Sequence, residues 1–273
     1  MTEPLAALDD WPVDTAASAI VGPSGIVVTR GPVDHPFPLA SVTKPLAALA
    51  VLVAVEEEAV TLDDPADEAL LPGATLRHLL AHASGLAPEK PLRSFPPAVR
   101  RVYSNVGIER AALLVEQAAD MPFADYLREA VLDPLSLDGT ALTGSPARDG
   151  ISTVTDLARV VHERLSPTGL LSAPTLTDLR TVQFPGLRGV LPGFGGQDPN
   201  DWGLGFEIRG AKTPHWTGTT NSPETYGHFG QSGTLLWIDP VARLGLVVLT
   251  DRDFGDWAKQ AWPALADTVL ADA

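Results

Sequence analysis

The sequence contains no cysteine, which excludes disulfide bonds and thiolate chemistry and fits a reducing compartment. Basic residues are scarce, because 19 Lys and Arg stand against 34 Asp and Glu and leave a formal net charge of −15. A surface of this charge repels nucleic acid and anionic membranes. We therefore expect no nucleic-acid partner and no polyanionic substrate.

Long hydrophobic runs are also missing. The longest apolar stretch covers residues 45–55 and is much shorter than the roughly 20 residues that a membrane helix needs. The opening segment, MTEPLAALDDWPVD, is acidic and lacks the basic and apolar regions of a signal peptide. These absences predict a soluble, cytoplasmic protein with no membrane partner, and they leave the oligomeric state open, a monomer included.

The composition supports one large core, since 45% of the 273 residues are hydrophobic. Strand-like segments occur near both ends of the chain, helical patterns fill most of the region between them, and residues 184–202 predict a long Gly- and Pro-rich loop. This order predicts a single domain, residues 1–273, in which both chain ends build one sheet. A sheet-containing lobe covers about 1–61 and 198–273 in this prediction, and a mostly helical lobe covers about 62–197.

The segment LASVTKPLAALAVLVAVE places a serine, Ser41, three residues before one of only four lysines. Pro45 is tolerated only in the first turn of a helix, so the helix begins near Ser41. Positions i and i+3 share a helix face, which brings the Lys44 amine close to the Ser41 hydroxyl. A buried lysine at the positive end of a helix has a lowered pKa and can activate a serine. The simpler alternative is an N-cap serine beside a lysine that reaches solvent.

Two further patterns carry possible chemistry. In YSN, the Tyr103 phenol is suited to proton transfer, and the Asn105 amide is suited to binding a substrate carbonyl or holding the lysine. In HFGQ, Gly230 allows close approach of the backbone to a ligand, and a free N–H there would complete an oxyanion hole. We predict that this motif opens an apolar strand that includes Trp237. The structural alternatives are a turn with a half-buried tyrosine and a Gly-rich turn that enters a core strand.

Together, LASVTK, YSN and HFG resemble in order and spacing the motifs of the penicillin-recognising serine hydrolases. More narrowly, they are similar to the class C β-lactamase-like group, which includes penicillin-binding proteins, D-aminopeptidases and β-lactamase-fold esterases. The resemblance covers most of the chain, from about residue 39 to 251. It implies an α/β fold, also described as an α+β sandwich, in which an antiparallel sheet from both termini is flanked by helices and a mostly helical lobe is inserted. No cofactor and no metal are expected.

The resemblance also implies a role for each catalytic position. Ser41 would be the acylated nucleophile, and Lys44 and Tyr103 would share the proton transfers. The backbone N–H groups of Ser41 and Gln231 would form the oxyanion hole.

Four positions are implied to bind substrate: Asn105, His228, Phe229 and Gly230. Phe229 stands where the group usually has Thr or Ser, whose hydroxyl helps to hold a substrate carboxylate. An unperturbed histidine at position 228 would be only about a quarter protonated at pH 7. These departures favour neutral, small acyl esters over penicillins.

The predicted function is therefore a serine hydrolase that forms an acyl-enzyme on Ser41. We expect an esterase, amidase or peptidase that acts on a small-molecule acyl substrate, with weak or no β-lactamase activity. Two alternatives stay open: a catalytically silent relative that binds a ligand or partner in the cleft, and an acyltransferase that uses the same acyl-enzyme. The pocket walls are predicted in residues 95–101, 184–202 and 212–224.

Other patterns are given no catalytic role. Ser232 lies in GQSGT, which lacks both the last glycine and the strand-to-helix turn of a nucleophile elbow. His78 and His82 have the spacing of a zinc helix but lack its glutamate, so they predict a packed pair. Ser84 predicts a cap or a turn.

Overall fold

The computed structural model of the chain describes residues 3–271. Its strands and helices follow one another as β1 (Ala16–Gly22), β2 (Gly25–Arg30), β3 (Phe37–Pro38), α1 (Thr43–Glu56), α2 (Leu76–Leu80), α3 (Asn105–Ala119), α4 (Phe123–Leu127), β4 (Ala141–Leu142), β5 (Gly150–Ser152), α5 (Val154–Leu165), α6 (Ala173–Arg180), β6 (Gly189–Leu191), β7 (Gly195–Gln197), β8 (Glu207–Ile208), β9 (Tyr226–Gly230), β10 (Thr234–Asp239), β11 (Leu244–Thr250) and α7 (Asp256–Ala271). Two 3-10 segments, Ala6–Asp10 and Ala40–Val42, and a π-helical turn, Arg128–Leu132, are also present.

Six strands form one antiparallel sheet in the order β2-β1-β11-β10-β9-β8. The first two strands come from the start of the chain and the other four from its end, so the predicted sheet built from both chain ends is confirmed. β1 pairs with β11 from Ala16 opposite Thr250 to Val21 opposite Gly245. This pairing joins the two ends of the chain inside the sheet.

Apolar layers cover both faces of this sheet. Successive side chains of a strand point to opposite faces. Leu236 and Ile238 of β10 accordingly enter one apolar cluster, which also contains α1, α3 and α5. Leu235 and Trp237 enter a second cluster, which is completed by α7. The central strands of the sheet are thus buried between two apolar layers with helices on both faces, as predicted, whereas the edge strand β2 is partly exposed.

Two helices make contacts across the predicted boundary between the lobes, and the division into lobes stays a prediction. α5 lies within residues 62–197, yet it packs on β1, β10 and β11 of the sheet. α1 lies within residues 1–61, yet it packs against α3 and α4.

The apolar stretch after Lys44 forms α1, a helix of 14 residues. Its residues 43–52 are all buried, because a helix that is apolar on every side needs neighbours on every side. Within residues 3–271, none of the helices combines the length and apolar character needed to cross a membrane.

Two local predictions need correction. The segment predicted as a loop, residues 184–202, contains the short hairpin β6–β7, with Gly189 paired to Gln197. The HFG motif ends β9 instead of opening the strand that holds Trp237, which belongs to β10. The turn between the two strands contains Gly233 with a φ of +76°, a conformation that glycine adopts without strain.

Candidate active site

The chain turns sharply just before α1, at Ser41. Ala40 has a φ of +45°, which is uncommon for a residue with a Cβ and costs on the order of 1–3 kcal/mol. The Leu39 N–H donates to the Gly150 carbonyl at 2.8 Å, and the Thr43 hydroxyl donates to the Ala40 carbonyl at 2.7 Å. These bonds hold Ser41 at the N-terminus of α1, where it lines a cavity.

Lys44 lies in the first turn of α1 and is fully buried. Its Nζ lies 3.0 Å from Ser41 Oγ and donates to the Ala147 carbonyl at 2.8 Å. Burial, and then the positive charge of Arg148, lower the pKa of Lys44 from its ordinary 10.5 to about 7. A large fraction of the amine is therefore neutral near pH 7, with a lone pair within reach of the serine proton.

Tyr103 approaches the same serine from the loop before α3. Its hydroxyl donates to Ser41 Oγ at 2.7 Å, and Lys44 Nζ lies 4.7 Å from the centre of its ring. Burial raises the pKa of Tyr103 well above its ordinary value of 10. The phenol is therefore protonated at neutral pH. This favours Lys44 as the base and Tyr103 as the acid, a division that the sequence did not decide.

Three buried aromatic side chains pack around the Tyr103 ring. The ring centres of His82, Trp202 and His228 lie 4.7, 5.7 and 5.8 Å from it. His82 Nδ1 accepts the Ser104 N–H at 3.2 Å, so its Nε2 carries the proton. Burial lowers the pKa of His82 well below 6.5, so the ring is neutral. This cluster fixes the orientation of Tyr103 without adding a charge.

His228 and Phe229 of β9 lie on opposite faces of their strand. The contact between His228 Nδ1 and the Phe229 carbonyl, 2.7 Å, assigns the ring proton to Nδ1 and leaves Nε2 buried without a partner. Burial, and then Lys44, lower the pKa of His228 to about 3, so its ring is neutral at pH 7 instead of a quarter protonated. The Phe229 ring packs 5.8 Å from Trp262 in the second apolar cluster, and only 8% of the residue is exposed. Phe229 nevertheless lines the same cavity as Ser41.

The end of β9 lies directly beside the serine. A Cβ on Gly230 would be 2.3 Å from the Leu39 carbonyl oxygen and 3.2 Å from the Ser41 nitrogen, so only glycine fits this approach. Gln231, the next residue, lines the same cavity as Ser41. Both predicted oxyanion-hole residues, Ser41 and Gln231, therefore line the same cavity. Their role in binding an oxyanion stays a prediction.

Asn105, the first residue of α3, contacts a carboxylate that the sequence did not single out. Its amide nitrogen donates to Glu89 Oε1 at 2.5 Å, and its Oδ1 is buried without a partner. Glu89 Oε2 pairs with Arg148 at 3.2 Å, and Arg148 also approaches Glu109 at 3.6 Å. Glu89 and Arg148 lie in two loops that are far apart in the sequence, and no motif marks either residue.

Ser41 lines a cavity of about 240 Å³. Several of its lining residues lie outside the three motifs: Glu89, Leu191, Pro192, Trp202 and Glu207. An apolar groove of about 510 Å³ adjoins the cavity, because Glu89, Tyr103 and Pro192 line both. The predicted wall segments 95–101 and 184–202 both contribute lining residues to this cavity or this groove.

The third predicted wall, residues 212–224, lines neither space. It instead surrounds the buried carboxylate of Glu207, which contacts Lys212 Nζ, His215 Nε2 and Trp216 Nε1 at 2.8, 2.9 and 2.7 Å. Burial alone would raise the pKa of Glu207, but the charge of Lys212 and the contact with His215 hold it far below its ordinary value. Glu207 is therefore an ionised carboxylate whose charge Lys212 balances.

The remaining sequence patterns add no catalytic group to the site. The Ser232 hydroxyl donates to a backbone carbonyl at 2.7 Å, and Ser84 Oγ accepts a backbone N–H two residues later at 3.4 Å, as in a turn. His82 has a φ of +53° and follows the end of α2, so it does not share a helix face with His78. In the part of the chain that the structure describes, no group of three or more His, Asp or Glu side chains is arranged to hold a metal ion.

The chain was compared with protein-family models, with solved structures and with curated proteins. A family model described as beta-lactamase matches residues 14–270. The chain is similar to the crystal structure of a β-lactamase from Mycobacterium bovis, with 53% sequence identity, 99% of each chain covered and a TM-score of 0.96. A hydrolase with promiscuous acyltransferase activity shares the fold at 18% identity, with 97% of this chain and 95% of that chain covered and a TM-score of 0.79.

Curated relatives match over a smaller region. A penicillin-binding protein from Bacillus subtilis (strain 168) is 28% identical over 161 residues, which are 48% of this chain and 32% of that protein. The chain spans less than half the length of the first curated relatives that it matches.

Proposed function

The chain belongs to the β-lactamase family of serine hydrolases, as its sequence motifs predicted. From this premise we propose that the protein hydrolyses small acyl esters through an acyl-enzyme on Ser41. One observation carries the proposal. Ser41 Oγ lies 3.0 Å from the Lys44 amine and 2.7 Å from the Tyr103 hydroxyl, at the wall of a cavity. A serine nucleophile needs an adjacent base, and its leaving group needs a proton donor.

The acylation step follows from the protonation states of these groups. Neutral Lys44 removes the proton from Ser41 as Oγ attacks the acyl carbon. The backbone N–H groups of Ser41 and Gln231 receive the negative charge that develops on the carbonyl oxygen. The departing alcohol takes a proton from the Tyr103 hydroxyl, and the Lys44 ammonium restores that proton. The products of this step are an ester on Ser41 and the free alcohol.

Deacylation uses the same groups with water as the nucleophile. Lys44, through Tyr103, removes a proton from water as the water oxygen attacks the acyl carbon, and the Ser41 oxygen leaves with a proton. An alcohol or amine in place of water would give acyl transfer from the same intermediate, which is the acyltransferase alternative.

The charges of the cavity support neutral esters over penicillin-type substrates. A penicillin carries a carboxylate, which needs a cation or several hydrogen-bond donors. His228 is neutral because burial lowers its pKa to about 3, and the charge of Lys212 is balanced by Glu207. Phe229 stands where a hydroxyl donor is usual. These residues supply no free positive charge for a substrate carboxylate.

β-Lactam hydrolysis is the second candidate function, because the chain is 53% identical to the β-lactamase structure from Mycobacterium bovis. Arg148, which lies close enough to Lys44 to lower its pKa, is the charged group most able to support it. If its guanidinium leaves Glu89 to bind the substrate carboxylate, an anionic β-lactam would gain an ion pair.

A direct comparison of kcat/KM separates the two candidates. We expect p-nitrophenyl butyrate to be preferred over a chromogenic cephalosporin at both low and moderate salt. A cephalosporin preferred by about tenfold, or about 1.4 kcal/mol of transition-state discrimination, would overturn the ester proposal. If neither substrate reacts faster with the wild type than with Ser41→Ala, the cleft would be a binding site without catalysis.

A further inference from the structure

We propose that Glu89 makes the site selective for acyl chains that carry an ammonium group and disfavours acyl chains that carry an anionic group. This inference rests on the proposed hydrolysis at Ser41 and concerns its substrate class. Glu89 lines both the cavity at Ser41 and the adjoining groove, and about 55% of its side chain is exposed. A bound substrate therefore has direct access to its carboxylate.

Glu89 is hydrogen-bonded to Asn105, a position implied to bind substrate. Glu89 Oε1 accepts the Asn105 amide at 2.5 Å. Asn105 Oδ1 is left buried without a partner. The exposed carboxylate of Glu89 is therefore the acceptor of this pair that lines the cavity, and it is suited to the N–H donors of an ammonium group.

The charges around Glu89 sum to a negative value. Arg148 is shared between two carboxylates, because it lies 3.2 Å from Glu89 and 3.6 Å from Glu109. Glu109 is held in place by the Ser145 hydroxyl at 2.5 Å. One guanidinium against two carboxylates leaves one negative charge at the mouth of the cavity, and the accessible carboxylate is Glu89.

No group deeper in the cavity reverses this sign. His228 lines the cavity and is neutral. Glu207 and Lys212 balance one another. Lys44 is fully buried, and its amine contacts the Ser41 hydroxyl and the Ala147 carbonyl.

In the adjoining groove, Arg101 is buried and donates to backbone carbonyls, and Arg100 lies over the Phe95 ring. Glu89 is therefore the exposed charge that a substrate meets where the cavity and the groove join.

Three p-nitrophenyl esters of similar shape test the inference: those of β-alanine, butyric acid and β-sulfopropionic acid. The ammonium of the β-alanyl chain replaces the terminal methyl of the butyryl chain, so the pair differs mainly in charge. At pH 7.5 we expect the wild type to prefer the β-alanyl ester over the butyryl ester in kcat/KM. A charge about 6 Å from a partly exposed carboxylate changes such a ratio by roughly 3- to 10-fold.

Glu89→Gln should lower the β-alanyl to butyryl ratio by that factor and raise the sulfopropionyl to butyryl ratio by a similar one. Glu109→Gln is the matched control, because it removes the other carboxylate of the same cluster from outside the cavity lining. We expect it to change both ratios in the same direction but clearly less than Glu89→Gln does, because it removes the same charge from the cluster and leaves in place the carboxylate that lines the cavity. Equal changes in the two variants would show a general field effect and overturn the assignment to Glu89. A wild type that prefers the sulfopropionyl ester over the β-alanyl ester would overturn it as well, in favour of Arg148.

Salt provides a second measurement that needs no variant. The wild-type β-alanyl to butyryl ratio should fall toward one between about 20 and 500 mM NaCl, because ions screen an exposed carboxylate. A ratio that does not respond to salt would contradict the inference. Butyrate turnover that depends on Ser41 reports the proposed function by itself. Loss of that turnover would refute the esterase, whereas normal turnover with unchanged ratios would refute only the role of Glu89.

Discussion

Replacing Lys44 with methionine should abolish activity and at the same time stabilise the protein at pH 7. Methionine is unbranched and similar in length, so it fills most of the space of the lysine stem. The change removes the base that the proposed mechanism requires. It also removes a group that is poorly matched to its surroundings, since Lys44 is fully buried with no carboxylate hydrogen-bonded to it.

The magnitude follows from the pKa of this lysine. Burial, and then Arg148, lower it from 10.5 to about 7. At 1.36 kcal/mol per pH unit, this depression costs the folded protein about 4 kcal/mol at pH 7. The variant loses the hydrogen bond to the Ala147 carbonyl, and leaving that acceptor without a partner costs about 1–3 kcal/mol. The net expectation is that Lys44→Met is more stable by about 1–3 kcal/mol.

The pH dependence of the stability difference between the wild type and Lys44→Met reports the titration of Lys44. Between about pH 7 and 10.5 the unfolded chain keeps this lysine protonated while the folded protein releases the proton, so wild-type stability rises with pH. Methionine does not titrate. The advantage of Lys44→Met should therefore shrink by about 2–3 kcal/mol between pH 6 and pH 9.

Urea denaturation of both proteins at pH 6, 7 and 9 measures this difference. Lys44→Leu, which is branched and equally uncharged, serves as a packing control and should show the same pH dependence with a different offset. A Lys44→Met protein that is less stable than the wild type by the same amount at every pH would refute the reasoning, because it would mean that the buried amine has an ordinary pKa.

Three further predictions concern catalysis. Tyr103→Phe should lower kcat for ethyl butyrate by roughly 10²–10⁴, because an alkoxide leaving group needs a proton donor and the variant has none; a near-normal kcat would mean that Lys44 with water suffices. Wild-type kcat/KM should rise about tenfold per pH unit up to about pH 7 and then level off, because the neutral form of Lys44 is the active one; a profile flat from pH 5.5 to 8 would contradict this. Arg148→Gln should move that midpoint to higher pH, because burial still depresses the pKa of Lys44 but the repulsion by Arg148 is gone; an unchanged midpoint in the pH–rate profile would show that Arg148 has no influence.

The reactive pair was readable from the sequence because its geometry is local. The three-residue spacing from Ser41 to Lys44 and the restriction at Pro45 place both groups at the start of one helix, whatever the rest of the chain does. The sheet from both chain ends was also predictable, since the strand patterns lie at the two ends of the chain with helices between them.

The surroundings of the pair were less readable because they depend on contacts between distant loops. Glu89 and Arg148 lie 59 residues apart, and neither loop has a pattern that predicts their ion pair. The helix at His78 ends before His82, where the backbone takes a positive φ, and this separates two histidines that the spacing alone would place together.

One feature of Phe229 could be predicted from the sequence itself. The alternation of side chains along a strand places Phe229 on the face opposite to its neighbours His228 and Gly230. Phe229 accordingly packs beside Trp262, and it also lines the cavity at Ser41. Its role in substrate recognition stays a prediction.

Labelling with a fluorophosphonate, followed by intact mass and peptide mapping, tests the role of Ser41 most directly. We expect a single adduct on Ser41 that is lost in Ser41→Ala and kept in Ser232→Ala, because only Ser41 has both Lys44 and Tyr103 within 3.0 Å of its Oγ. A label on Ser84 or Ser232, or labelling that persists in Ser41→Ala, would contradict an acyl-enzyme at this serine.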